Sequence, residues 1–216
     1  GLWLLLAYFV SFTIIVSGMI ALVQDNLKAR LAFSTINSLS IVILGVVLLS
    51  PSSVRGGILH IANHAFMKIT LFFCAGAIYV KTHKEKVSEL DGIGRQMPFT
   101  MGSFAIGAMG LAGIPPICGF ISKWYLCLGT LEAREIIFLF VLLACTLMDV
   151  AYFFPIIYNS FFKKSQAVDS TFNEAPWLML APIMIGAIIS IILGIAPDAF
   201  VHFFKLAGLT VHNTLN

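Results

Sequence analysis

Residues 57–80 read GILHIANHAFMKITLFFCAGAIYV, an apolar stretch that carries two histidines and a lysine in its first half. A membrane-spanning helix needs about 20 mostly apolar residues to cross roughly 30 Å of hydrocarbon, and this stretch is long enough. His60, His64 and Lys68 recur at every fourth residue, so on a helix they share one face. At the rise of an α-helix the row covers about 12 Å of membrane depth. The stretch thus places ionisable groups inside a transmembrane helix.

The rest of the chain agrees with that class. Of 216 residues, 59% are hydrophobic and only 11% charged, with a mean hydropathy of +0.98. A soluble domain carries about a quarter of its residues charged, so lipid is the solvent that suits this chain. The net charge of +3 is small. No basic patch interleaved with aromatics occurs, which excludes nucleic acid as a partner. Cys74, Cys118, Cys127 and Cys145 lie in apolar segments without a CxxC pair. They read as small hydrophobes rather than metal ligands or disulfide partners. The chain opens Gly1-Leu2-Trp3, with neither Met nor a basic region. That is not a signal peptide or a translation start, and it reads as a beginning within a longer protein.

Candidate spans fall at 2–23, 32–50, 57–80, 98–130, 136–162 and 177–196. The fourth is too long for one straight crossing, and Gly113-Ile114-Pro115-Pro116 interrupts it. Proline removes a backbone donor and clashes with the preceding turn, so the helix should break there. Charge asymmetry decides between one broken span and two short ones. With one, Lys28, Arg30, Lys81, Lys84, Lys86, Arg95, Lys163 and Lys164 share a side, against Arg55, Arg134 and Lys205 on the other. Splitting the segment weakens that bias. The expected fold is all-α, a polytopic bundle of about six spans including one Pro-broken helix. The transmembrane part is expected over 1–197. Residues 198–216 read as an amphipathic C-terminal segment resting at the interface, with Phe200, Phe203 and Phe204 on its apolar side.

The intramembrane chemistry has three parts. Imidazole donates from one nitrogen and accepts at the other, and desolvation makes a lysine readier to surrender its proton. The His60/His64/Lys68 row is therefore a candidate proton path, with Asn63 a nearby polar contact. The competing reading is a polar seam between helices. An intramembrane charge costs at least ~2.5 kcal/mol, which favours function. Metalloprotease chemistry would need HExxH, but Ile61 stands where the glutamate belongs. Two histidines on one helix face cannot clamp a haem from opposite sides. Second, Lys123 lies just past Pro116, where a broken helix leaves backbone groups for an ion site. A snorkelling lysine is the plainer alternative. Third, Asp149 sits near the middle of span five and needs a partner, with Lys123 or Lys68 available. Ser34, Thr35, Asn37, Ser38 and Ser40 give span two a polar face, which helix packing explains equally well.

Three stretches together resemble the antiporter-like family shared by respiratory complex I, Mrp-type cation/proton antiporters and membrane-bound hydrogenases. They are Asp25 to Thr35 (DNLKARLAFST), His60 to Lys68 (HIANHAFMK), and Gly113 to Lys123 (GIPPICGFISK). The resemblance is strongest to the D-type subunit of Mrp antiporters and its hydrogenase relatives. It implies the C-terminal half of a subunit with about fourteen helices in two inverted repeats. His60, His64 and Lys68 then match the central polar axis, and Lys123 the lysine of the second broken helix. The family's glutamate and lysine on earlier helices have no counterpart here, so another stretch of protein is expected to supply them. Asp149 has no family role in this resemblance. The implied activity is translocation of protons, or exchange of Na⁺ for H⁺, within a multisubunit complex. The expected partners are other membrane subunits, the missing N-terminal half and lipids. The expected location is the cell (inner) membrane, with the mitochondrial inner membrane as the alternative. No cofactor, metal or catalytic redox centre is expected in this chain. The contrasting readings are a structural membrane subunit that transports nothing and a membrane-embedded redox enzyme.

Overall fold

The computed structural model describes residues 1–163, 172–198 and 202–215. Its helices are α1 (Leu2–Val23), α2 (Leu27–Val47), α3 (Pro51–Thr82), α4 (Ile93–Gln96), α5 (Pro98–Leu111), α6 (Cys118–Glu132), α7 (Ile136–Phe162), α8 (Trp177–Ile195) and α9 (Phe203–Leu215). Among the described residues, α1, α2, α3, α7 and α8 are long and apolar enough to cross a membrane, and α5 is a shorter apolar helix. The bundle is a helical membrane fold, as composition and hydropathy predict.

The break in the fourth span falls where the prolines put it. α5 ends at Leu111, Gly113 takes a φ of 76°, Pro115–Pro116 is a cis bond, and α6 starts at Cys118. The 14- and 15-residue halves are each too short to cross alone. They behave as one interrupted crossing, because the loops sort to two ends. At one end, Leu27 N–H bonds Glu85 O, Val87 N–H bonds Asp25 O, Gly92 N–H bonds Asn159 O, and Asn173 N–H bonds Gln96 O. There the Ser88 backbone and hydroxyl donate to Asp25 at 3.0 and 2.8 Å and hold its carboxyl below the usual range. At the other end, Ser50 Oγ bonds Gly129 O and the Glu132 carboxylate accepts from Ser52. Lys28, Lys81, Lys86, Arg95 and Lys163 gather at the first end; Lys164 lies outside the described residues.

Two boundaries differ from the hydropathy reading, and in both cases polar residues belong to the helix. α2 begins at Leu27 rather than 32 because Asn26 caps it, accepting from Ala29 N at 3.0 Å. Arg30 is consequently not a loop residue on the basic face. It is buried, and its guanidinium donates to Gln24 O, Leu22 O and Tyr152 O. α3 begins at Pro51 rather than 57, where Ser50 and Ser53 form a capping box around an N1 proline. Arg55 therefore lies within α3, its guanidinium 3.9 Å above the Phe204 ring of α9 and 5.1 Å from that of Tyr125. Phe200 lies outside the described residues, and of Phe203 only the backbone is described.

α3 is the central helix, packed against α2, α5, α6 and α8. Leu5, Phe9 and Phe12 of α1, Leu147 and Phe154 of α7, and Ile185 and Ile188 of α8 point outward as an exposed apolar surface. The two halves of the broken helix meet without room for a side chain: a Cβ on Gly119 would lie 1.9 Å from Gly110 O. Overpacking of this kind costs about 1–3 kcal/mol. We expect Gly119→Ala to lower the thermal unfolding midpoint of the detergent-purified protein. Gly76→Ala, where no described residue lies within 4 Å of the added carbon, should leave it unchanged. Equal midpoints for the two would contradict the close α5–α6 contact.

Candidate functional site

α3 carries His60, His64 and Lys68 on its buried face, at 0%, 6% and 5% exposure. The two imidazoles stack with ring centroids 6.0 Å apart. His60 Nδ1 lies 2.9 Å from Ser122 Oγ, and Ser122 donates to Gly119 O at 3.0 Å. With the serine proton so directed, His60 Nδ1 carries the hydrogen and Nε2 is left as an acceptor. Neither His60 Nε2 nor His64 Nε2 has a hydrogen-bond partner among the described residues. A buried polar atom without a partner is costly, so a polar partner would be stabilised at either nitrogen.

Asn63, one residue before His64, donates to Cys118 O at 2.9 Å. Cys118 is the first residue of α6, so the Asn63 amide is satisfied by a carbonyl beside the helix break. The same contact ties the histidine helix to the turn that bears Lys123.

Lys123 meets Asp149. Its Nζ lies 2.6 Å from Asp149 Oδ2, with the two side chains 11% and 2% exposed. Of the two lysines available to Asp149, the structure selects this one. The broken helix brings α6 against α7 at that level, and Thr146 Oγ1 stands 3.4 Å from the same ammonium. The other carboxylate oxygen accepts from the Tyr152 hydroxyl, one turn further along α7. Lys68 has no carboxylate within 4 Å among the described residues. Its ammonium donates to Leu31 O at 3.1 Å and to Ser34 Oγ. Asn37, on the same face of α2, accepts from Cys145 Sγ at 3.1 Å, while its Nδ2 is unpartnered among the described residues.

Sequence reasoning did not single out Tyr152, Ser122 or Cys145, and it weighed Ser34 only as part of a polar face. Tyr152 is one of many aromatics in a hydrophobic helix. The signal that finds it is its spacing of three from Asp149, which puts both on one face of α7.

The family described as "NADH:quinone oxidoreductase/Mrp antiporter, TM" matches residues 2–149. The chain belongs to this family. A relative in Desulforudis audaxviator, NADH-quinone oxidoreductase subunit N, is 34% identical over 84% of this chain and 39% of its own length. In Methanosarcina mazei, F(420)H(2) dehydrogenase subunit L is 33% identical over 94% of this chain and 32% of its own length. The Mrp complex of a Dietzia species contains a chain with the same fold, at a TM-score of 0.89 and 21% identity, covering 99% of this chain and 47% of that one. A chain of the archaeal membrane-bound sulfane sulfur reductase gives a TM-score of 0.87 at 23% identity, covering 99% of this chain and 44% of that one. This chain thus spans less than half the length of the relatives it matches.

Removing one partner of a buried ion pair leaves an uncompensated charge and costs about 3–5 kcal/mol. Lys123→Met should therefore lower thermal stability markedly, and adding Asp149→Leu should recover most of the loss. A double variant no more stable than Lys123→Met would show that the two groups are not energetically coupled.

Proposed function

We propose that this chain is a proton-translocating part, with Na⁺/H⁺ exchange as its other form, of an antiporter-like subunit in a multisubunit membrane complex. The observation that carries the proposal is the Lys123–Asp149 ion pair beside the helix break, buried in the bundle, on a helix whose Ser122 meets His60 of the histidine helix. A charge buried at this depth is rarely without function. Family membership supports the same reading, because the named relatives are subunits of oxidoreductase and Mrp complexes.

The mechanism is electrostatic. A proton reaching the Lys68 level of the row changes the charge next to α2 and α7. While Asp149 is ionised it holds the Lys123 ammonium at the break. Once Asp149 is neutralised, Lys123 has no counter-charge and passes a proton on. His60, hydrogen-bonded to Ser122, lies on the part of α3 nearer the end of the bundle opposite the basic loops. Basic loops favour the cytoplasmic face, so that end faces outward across the cell membrane. α9 rests at the outer interface, where Arg55 meets it through Phe204. The remaining half of the pathway, other membrane subunits and surrounding lipid complete the working assembly.

The test is proton uptake into vesicles reconstituted with the intact complex. Lys123→Ala and His64→Ala should each abolish translocation while the subunit still assembles. Unchanged translocation in both would leave the chain a structural membrane subunit and overturn the proposal. Replacing Na⁺ with choline separates the two forms: a pure proton path keeps its rate, and an exchanger loses it.

A further inference from the structure

The histidine row is not the only polar connection in the bundle. Lys68 and the Lys123–Asp149 pair sit on different helices, and no carboxylate lies within 4 Å of Lys68 among the described residues. Two hydroxyls fill the interval. Lys68 Nζ donates to Ser34 Oγ on α2. Ser34 also lies close enough to act on the Tyr152 phenol of α7, while its own proton is directed to Leu31 O. The Tyr152 hydroxyl donates to Asp149 Oδ1, and Asp149 Oδ2 receives the Lys123 ammonium at 2.6 Å. Ser34 is fully buried and Tyr152 is 1% exposed. The tyrosine is also fixed from its backbone, since the buried Arg30 guanidinium donates to Tyr152 O at 2.9 Å. This clamp lies three residues before Pro155, a proline inside α7. Hydrogen bonds therefore join ammonium to serine on one side and tyrosine to carboxylate to ammonium on the other, and a rotation of the serine hydroxyl away from Leu31 O would close the interval between them.

Helix packing alone does not explain these hydroxyls. Ser40 and Thr35 of the same helix bond carbonyls of their own helix, Ile36 O and Leu31 O, which is how a hydroxyl is ordinarily satisfied in a membrane helix. Ser34 has the same option in Leu31 O, 2.9 Å away, yet it also meets a cation and a phenol. A tyrosine in the same place needs only one hydrogen-bond partner when buried. Here that partner is a carboxylate already paired with a lysine.

Building on the proton-translocation reading above, we propose that Ser34 and Tyr152 form a hydroxyl relay that hands a proton from Lys68 to Asp149, so that arrival of charge at the histidine helix releases Lys123. In one passage, an N–H bond of the Lys68 ammonium breaks as its proton moves to Ser34 Oγ. The proton of Ser34, turned from Leu31 O, moves to Tyr152 Oη, and the phenolic proton of Tyr152 moves to Asp149 Oδ1. Each hydroxyl ends with one proton, Lys68 is a neutral amine, Asp149 is a neutral carboxyl, and no electron changes hands. Lys123 is then an ammonium without its counter-ion. The relay is distinct from the histidine row, whose contact with α6 is His60 Nδ1 to Ser122 Oγ.

The test uses the intact complex in vesicles with an entrapped pH indicator, with Lys123→Ala measured in parallel. Tyr152→Phe keeps the ring and removes the relay hydroxyl, and should slow translocation about a hundredfold, the scale of one positioned proton-transfer group. Ser34→Ala should do the same, whereas Ser34→Thr, which restores a hydroxyl, should keep most of the rate. A packing role reverses that order, because alanine fits a fully buried serine site and threonine crowds it. If Tyr152→Phe fails to assemble, the Ser34 pair decides the question. Wild-type rates in Tyr152→Phe and Ser34→Ala, with Lys123→Ala inactive, would overturn the relay alone. Wild-type rates in all three would overturn the relay together with the translocation reading.

Discussion

A carboxylate in the middle of a membrane helix has to be compensated, and Asp149 shapes the bundle around that requirement. Its two oxygens take a lysine from α6 and a tyrosine hydroxyl from its own helix. Both ions of the pair lose most of their hydration, so the geometry of their contact and the remaining hydrogen bonds decide whether the arrangement is tolerable. Here Lys123 Nζ is also 3.4 Å from Thr146 Oγ1. The pair sits beside the break between α5 and α6, so the helix interruption and the buried charges make one structural unit.

The break in turn depends on small residues and on α3. Gly119 lets α6 approach Gly110 O, and Gly194 of α8 lies so near Pro116 O that a Cβ would come within 1.9 Å. Asn63 answers the carbonyl of Cys118. These contacts fix where Lys123 stands relative to the histidines. Side chains of the proposed proton path and side chains that make a tight helical bundle are in this way interleaved on the same faces.

Much of this was legible in the sequence. Apolar runs separated by charged loops gave the crossings, Pro115 and Pro116 located the break, and four-residue spacing put His60, His64 and Lys68 on one face. The helix ends were less legible because polar residues extend the helices past their apolar windows. Arg30 looks like a loop cation until the carbonyls of α1 and α7 that receive it are known, and Arg55 until its aromatic neighbours are. The choice of Lys123 over Lys68 as the partner of Asp149 depends on how α6 and α7 cross, which no local pattern encodes. Ser34 and Tyr152 escaped for the same reason, since their meaning arises from contacts across α2, α3 and α7.

In the mechanism proposed here, Asp149 alternates between an ionised state that holds Lys123 and a neutral state that frees it. Time-resolved infrared spectroscopy of the intact complex during turnover observes that alternation directly. A protonated-carboxyl band should appear and decay with turnover, and Asp149→Asn should remove it. A carboxyl spectrum that stays constant through turnover, or a transient band that survives Asp149→Asn, would contradict the account.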